Sequence, residues 1–289
     1  MRNVATAGLV PTSARSLPPL LLHQPRSVAE VLAALRGSAQ PVLLAGGTDL
    51  VAAFNEGLPV RELVSLAGVA ELKNMDVSAT EIHIGAGVCH AAGSSHAALH
   101  ERLPGLAQAW ARIANPRIRF HATLGGNLMA LRTRYEASLL LSAARAKLVF
   151  AAQGGTEVLS PAQLWQGLAP PLALLTHIVV PTRGLLAYFH ERSLRPLLTL
   201  AAALRNDAQG LVLNCAVATE YLPPTLLELD LPGLRREDLA HQATRIADAV
   251  FALLPPDFQD VVVTPNYARR AGAALLARTL PKMAGEPHA

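Results

Sequence analysis

The chain has 289 residues, of which 51% are hydrophobic and 16% charged, with a mean hydropathy of +0.30. This composition excludes a disordered chain and predicts a folded protein whose apolar surface meets partner chains. The 25 basic and 21 acidic residues give a net charge of +4, which is too small to indicate nucleic-acid binding, and the length favours two domains over one.

The residue usage also limits where the protein works and what it binds. No apolar run reaches the roughly 18 residues of a membrane span, and the first residues lack the apolar core of a secretory signal. We therefore expect a cytoplasmic protein without a membrane span. Two cysteines, Cys89 and Cys215, are too few for a disulfide framework or an iron–sulfur cluster within this chain. No metal site is expected, because no histidine has metal-ligand spacing.

Helix and strand signals alternate in the N-terminal half. Ser27 and Glu30 predict a capping box for a helix that ends near Arg36. The apolar run 41–45 predicts a buried strand, and the glycine pair 46–47 predicts a tight turn after it. The remaining signals in this half predict strands at 62–66 and 81–85, a helix at 104–114, a second glycine turn at 122–128 and a helix at 136–146.

The C-terminal half is predicted to begin with strands and end with helices. Residues 147–152 and 156–159 flank a glycine turn and predict a hairpin. A boundary at 181–184 would divide the chain into domains 1–180 and 185–289. The other signals predict strands at 177–181, 198–204 and 211–218, and helices at 236–254 and 267–280.

Two glycine segments have the composition of anion-binding turns. Backbone N–H groups at such a turn can bind a diphosphate, because no Cβ blocks its approach. One segment alone is more typical of an ordinary tight turn; the pair predicts a site for both sides of a diphosphate cofactor, with Asn127 as a directional polar contact. The first segment is Leu43, Leu44, Ala45, Gly46, Gly47, Thr48, Asp49 and Leu50, and the second is Thr123, Leu124, Gly125, Gly126 and Asn127.

The basic residues are concentrated around the second segment. Between Arg102 and Lys147 there are eight basic residues and one acidic residue, Glu136. This excess predicts a region that attracts anions, with an ordinary solvated surface as the alternative. Nucleic acid is not indicated, because the region has few aromatic residues for base stacking.

The two segments, LLAGGTDL and ATLGGN, resemble the FAD loops of the flavin subunit of molybdenum hydroxylases, the family that includes xanthine, carbon monoxide and nicotine dehydrogenases. The motifs IGAGV, KLVFAAQGGTEVL and IVVP extend the resemblance over nearly the whole chain. It implies an α+β fold of the vanillyl-alcohol-oxidase and molybdenum-hydroxylase flavoprotein type, with a two-part FAD-binding domain and a smaller C-terminal α/β domain. A plain dinucleotide fold is disfavoured, because His90 replaces the third glycine of its motif.

The resemblance implies residue roles as well. Both segments would bind FAD, Ile113 would contact the adenine and Leu175 the isoalloxazine. Some positions depart from the family pattern and predict altered flavin affinity or redox tuning. Arg132 and Thr133 stand where the family has Ser-Pro, Glu136 where it has an FAD-binding Asp, Glu191 where it has a Lys near the flavin, and Asn55 where a Lys follows the first loop.

The resemblance further implies an electron-transfer subunit of a cytoplasmic heterotrimer. A large subunit would hold molybdopterin and oxidise the substrate, and a small subunit would carry two [2Fe–2S] clusters. FAD in this chain would collect their electrons and pass them to NAD+ or another acceptor, so no catalytic acid or base is expected here. Two alternatives remain open: a scaffold subunit that lacks flavin, and a free-standing flavoprotein oxidase.

Overall fold

The computed structural model describes residues 19–193 and 197–285, so residues 1–18, 194–196 and 286–289 of the two predicted domains lie outside the described residues. The strands are β1 Leu21–His23, β2 Pro41–Leu44, β3 Glu62–Ser65, β4 Met75–Val77, β5 Glu81–Gly85, β6 Lys147–Ala152, β7 Gly155–Leu159, β8 Leu174–Pro181, β9 Leu185–Arg192, β10 Thr199–Asp207, β11 Gly210–Ala218 and β12 Thr225–Leu231.

Helices of up to 10 residues connect these strands, and three of the described helices follow the last strand, the final one 20 residues long. The helices are α1 Val28–Gly37, α2 Leu50–Asn55, α3 His90–Ser94, α4 Ala97–Arg102, α5 Pro104–Ala111, α6 Pro116–Arg119, α7 Leu124–Met129, α8 Ala137–Ala143, α9 Pro161–Trp165, α10 Asp238–His241, α11 Ala243–Ala252 and α12 Pro265–Ala284, with a 3-10 helix at Ala70–Lys73.

The strands described form three sheets. The first is parallel, in the order β1-β3-β2, and the second is antiparallel, in the order β4-β5-β8-β6-β7. The third, β12-β11-β10-β9, is antiparallel as well. The predicted α+β class is confirmed. The C-terminal region combines helices with an antiparallel sheet, without the alternation of helices and parallel strands that the term α/β implies.

Strand β10 explains how the third sheet joins two cores. Ala201 and Ala203 pack into the core formed with α5, α8 and the second sheet. Leu200 and Leu204 face the other way, into the core formed with α11 and α12. Successive strand residues point to opposite faces, so a strand buried on both faces becomes apolar throughout. The domain division at 181–184 stays a prediction.

Several predicted boundaries are wrong in detail. In α1, Ser27 Oγ accepts the Glu30 N–H, but the Glu30 carboxylate accepts from Arg26 N–H, so the reciprocal bond of a capping box is missing. The helix predicted at 104–114 ends at Ala111, and Ala114 has a positive φ of 56°. The helix predicted at 236–254 is divided into α10 and α11 at Gln242.

Candidate functional site

A cavity of about 1240 Å³ lies between the two glycine segments. Its remaining walls come from residues 112–118, from residues 129–136 and from the β9, β10 and β11 ends of the third sheet. Every predicted site residue lines it except two. Leu44 lies at the end of β2, and Leu124 is buried in the core that α5, α8 and the second sheet form. The structure therefore brings Ile113, Leu175 and Glu136 together with both segments.

The first glycine segment follows β2 and bends sharply before α2. Gly47 has a φ of 74°, which favours glycine. A Cβ on Gly46 would lie 1.9 Å from the carbonyl oxygen of His121, so the first segment touches the backbone just before the second segment. Within the described part of the chain, no hydrogen bond engages the N–H groups of Gly46, Gly47 and Thr48. They are donors that a ligand in the cavity can use.

The second glycine segment is organised differently. It opens helix α7, with Thr123 as N-cap, and four of its five N–H groups are already engaged. The N–H of Leu124 donates to Val88 O (2.9 Å), that of Gly125 to Ala86 O (2.8 Å), that of Gly126 to Thr123 Oγ1 (3.0 Å) and that of Asn127 to Thr123 O (2.9 Å). The prediction that both segments offer a run of amides is therefore wrong for the second.

The second segment offers shape and one side-chain group instead. Asn127 lines the cavity, and its Oδ1 is buried with no hydrogen-bond partner among residues 19–193 and 197–285. A buried polar atom without a partner is costly, and a ligand that donates to it removes the cost. A Cβ on Gly126 would meet only Thr123 Oγ1 (3.0 Å) and Ala45 Cβ (3.9 Å). The missing side chain of this glycine therefore leaves more room for a ligand in the cavity.

Asp49 links the first segment to the residues after the second. It is the N-cap of α2, but its side chain makes no cap bond. Its Oδ1 accepts a hydrogen bond from Tyr135 OH at 2.6 Å and lies 3.3 Å from Arg132 Nε. Burial and the bond to Asp49 raise the pKa of Tyr135 to about 12, so the phenol stays protonated and donates.

Glu136 also lines the cavity, and its carboxylate is held by side chains of strand β9. Arg192 Nε donates to Glu136 Oε1 at 2.7 Å, and the Arg192 Nη2 group donates to the second oxygen. His190 Nε2 lies 3.6 Å from Oε1. Burial alone would raise the pKa of Glu136, but His190 and Arg192 outweigh it and hold the pKa below its usual value. Glu136 is therefore a fixed anion in the cavity wall.

Ile113 is positioned by a partly buried arginine. The Arg119 guanidinium donates to the carbonyls of Ile113 (2.7 Å), Trp110 (2.9 Å) and His90 (3.1 Å). The Trp110 indole N–H donates to His90 Nδ1 at 2.8 Å. Burial and the nearby Arg119 lower the pKa of His90 to about 4, so the imidazole is neutral near pH 7.

Of the other positions that depart from the family pattern, Glu191 and Asn55 lie away from the cavity and Thr133 lines it. Glu191 does not line it, and its carboxylate lies 3.7 Å from Lys282 Nζ; Asn55 does not line it either. Thr133 does, and its hydroxyl donates to the Glu220 carbonyl. The sequence does not predict the roles of His190 and Arg192 in the site, because no local signal predicts strand β9.

The cysteines and histidines form no further centre that the structure shows. Cys215 is buried, which raises the pKa of its thiol to about 12, while Cys89 is only partly buried. Among the described residues, no three His, Cys, Asp or Glu side chains form a group that could hold a metal ion. In the same part of the chain, no helix has the length and apolarity needed to cross a bilayer.

Comparison with known families identifies the class. The family of FAD binding domains in molybdopterin dehydrogenase matches residues 15–183. The match covers more than half of the chain and both glycine segments, and the chain belongs to this family. FAD is therefore the cofactor of this class of domain.

Curated relatives agree with this class. The chain is 26% identical over 147 residues to the caffeine dehydrogenase subunit beta of Pseudomonas sp. (strain CBB1), covering 50% of each protein. It is 31% identical over 109 residues to the nicotinate dehydrogenase FAD-subunit of Eubacterium barkeri, covering 37% of this chain and 33% of that one. The matches thus span half or less of these relatives' length.

Solved structures show the same fold. The quinoline 2-oxidoreductase from Pseudomonas putida 86 superposes with a TM-score of 0.76 at 21% identity, covering 94% of this chain and 99% of that one. The carbon monoxide dehydrogenase from Hydrogenophaga pseudoflava has a TM-score of 0.72 at 22% identity, covering 91% of this chain and 96% of that one. The predicted flavoprotein fold is confirmed over both halves of the chain.

Proposed function

We propose that this chain binds FAD noncovalently in the cavity and works as the electron-transfer subunit of a cytoplasmic, heterotrimeric molybdenum hydroxylase. The observation that carries the proposal is the pairing of unengaged donors with an unengaged acceptor in one cavity. The N–H groups of Gly46, Gly47 and Thr48 have no partner among the described residues, and Asn127 Oδ1 is buried without one. A cavity of about 1240 Å³ has room for a ligand of dinucleotide size.

Each side of the cavity has a distinct task in this proposal. The amides of the first segment bind the FAD diphosphate, and Asn127 accepts a hydrogen bond that orients the ligand. The buried side chains of Ile113 and Leu175 exclude water and contact the adenine and isoalloxazine respectively. Glu136, fixed by His190 and Arg192, places a negative charge in the wall. When bound, FAD supplies the ability to take up electrons singly and release two together.

The remaining part of the proposal concerns partners. A large subunit holds molybdopterin and oxidises the substrate, and a small subunit carries [2Fe–2S] clusters that deliver electrons to this chain. The acceptor is NAD+ or another oxidant. Exposed apolar side chains support the proposal that partner subunits cover part of this chain's surface. Phe120 is 67% exposed and Val261 is 83% exposed.

The proposal is tested by purifying the chain with the proteins encoded beside it and adding reducing substrate under anaerobic conditions. We expect three chains to co-purify. The substrate should remove about all of the flavin absorbance near 450 nm. The isolated chain should show no substrate-dependent bleaching. A complex that turns over substrate while this chain holds no flavin would identify it as a scaffold subunit and overturn the proposal.

A further inference from the structure

We propose that Arg132 is a diphosphate-binding residue of this site, a role that neither the glycine motifs nor the family resemblance assigns to it. The inference rests on the proposed function, because the ligand class is the diphosphate of FAD. The family pattern has Ser-Pro at positions 132 and 133, so the guanidinium is a feature of this chain rather than of the motif.

The position of Arg132 is fixed by the first segment, although Arg132 follows the second in the sequence. Its Nε lies 3.3 Å from Asp49 Oδ1, one residue beyond the unengaged amides of Gly46, Gly47 and Thr48. Arg132 lines the cavity, and its side chain is 49% exposed. Within residues 19–193 and 197–285, its ion pair is with Asp49, with Nε as the nearest atom, and no hydrogen bond engages its two terminal Nη groups. They are donors at the edge of the cavity.

Asp49 explains why a cation is needed here. A carboxylate directly after the anion-binding amides repels a diphosphate, and the repulsion is strong where water is partly excluded. Tyr135 and Arg132 both contact the Oδ1 atom of Asp49. Arg132 therefore neutralises the repelling charge and, through its Nη groups, presents two donors in the planar geometry that suits phosphate oxygens.

The other arginines of the cavity are less suited to the role. Arg192 is occupied by Glu136 through both its Nε and its Nη2. Arg134 Nη1 lies 3.8 Å from Glu220 Oε1, in the loop after β11, and the Arg134 side chain is 65% exposed. Arg134 lines the same cavity but does not contact the first segment, which makes it a matched control.

The test measures FAD dissociation constants of the apo full-length chain at several salt concentrations, for the wild type and for R132Q, R132K, R134Q and Y135F. We expect R132Q to weaken FAD binding about tenfold and to flatten the dependence of the dissociation constant on salt, since a charge-assisted contact to phosphate is lost. R132K should lose less, and R134Q and Y135F should keep the wild-type salt dependence.

The outcomes separate this inference from the proposed function. Wild-type chain that binds no FAD contradicts the proposed function. Wild-type chain that binds FAD, together with R132Q that binds it equally well and with the same salt dependence, overturns the role of Arg132 alone. Equal losses in R132Q and R134Q would also overturn it, because they would show a general effect of positive charge. Thermal unfolding of each apo variant reports whether the fold is kept, and R132K provides the comparison if R132Q does not fold.

Discussion

The two glycine segments have similar sequences and use their backbones in different ways. The first leaves the amides of Gly46, Gly47 and Thr48 without partners among the described residues. The second engages four of its five amides with the chain itself, through Thr123 and the carbonyls of Ala86 and Val88. A glycine pair therefore does not indicate an anion-binding turn by itself. The neighbouring strand or helix decides whether the N–H groups remain for a ligand.

The contact between the segments gives the largest expected effect. In Gly46→Ala, the new Cβ would lie 1.9 Å from the His121 carbonyl oxygen, which is backbone and cannot move aside easily. We expect a loss of at least about 3 kcal/mol of unfolding free energy, together with loss of bound FAD. Chemical denaturation and flavin content measure both. Gly154→Ala is the control, since its Cβ meets nothing within 4 Å; equal stability of the two variants would show that the segments do not touch.

The support of the second segment should depend on pH. The backbone N–H of His90 donates to the carbonyl of Ala122, directly before the second segment. The imidazole of His90 is buried, and burial and Arg119 lower its pKa from 6.5 to about 4. Between these pH values the unfolded chain binds the proton more tightly, so stability falls as the pH drops from about 6.5 to about 4, by roughly 3 kcal/mol.

Denaturation curves across this pH range, compared between the wild type and His90→Gln, test the effect. The variant should lose this component of the pH dependence, and His241→Gln, at an exposed position, should keep it. An unchanged pH profile in His90→Gln would contradict the assignment.

Asn127 provides a test in which binding and stability separate. In Asn127→Leu the buried, unpartnered Oδ1 is removed, so the apo protein should be at least as stable as the wild type. FAD affinity should fall about tenfold, which corresponds to about 1.4 kcal/mol. Asn214 also has a buried Oδ1 without a partner among the described residues, but lies outside the cavity. Unchanged FAD binding in Asn127→Leu, or an equal loss in Asn214→Leu, would remove Asn127 from the site.

The smallest expected effect concerns the cap of α7. Thr123→Val removes the acceptor of the Gly126 N–H and should cost about 1 kcal/mol of stability. FAD affinity should change less than about twofold, since this amide serves the helix. Thr264→Val removes the matching cap of α12 and should cost about the same. A change in FAD affinity on the order of tenfold in Thr123→Val alone would place the Gly126 amide in direct contact with the ligand.

The sequence predicted those parts of the fold in which a local pattern decides the structure. Strands β10 and β11 are buried on both faces and produce continuous apolar runs, so both were predicted. Strands β9 and β12 mix exposed polar and buried apolar residues, and both were missed. Because these two strands are not predicted, the sequence does not indicate that the third sheet contributes to the cavity.

The same distinction holds for the site. The glycine segments are local in sequence, and almost all of their residues line the cavity as predicted. The polar pairs that complete it join distant positions: Tyr135 and Asp49 are 86 residues apart, and Arg192 and Glu136 are 56 apart. No local pattern reports such pairs. Whether the hydrogen bonds of an amide are already satisfied depends on the same distant contacts, so the difference between the two segments appears only in the folded chain.

The most direct test of the account is the flavin content of the natively purified protein after acid precipitation. Noncovalent binding in one cavity predicts about one FAD per chain, released into the supernatant while the protein pellet stays colourless. The expected ratio requires a chain saturated with FAD before precipitation. Flavin that remains in the pellet would contradict noncovalent binding, and a wild-type chain that has been incubated with excess FAD and yields flavin in neither fraction would contradict the cofactor site itself.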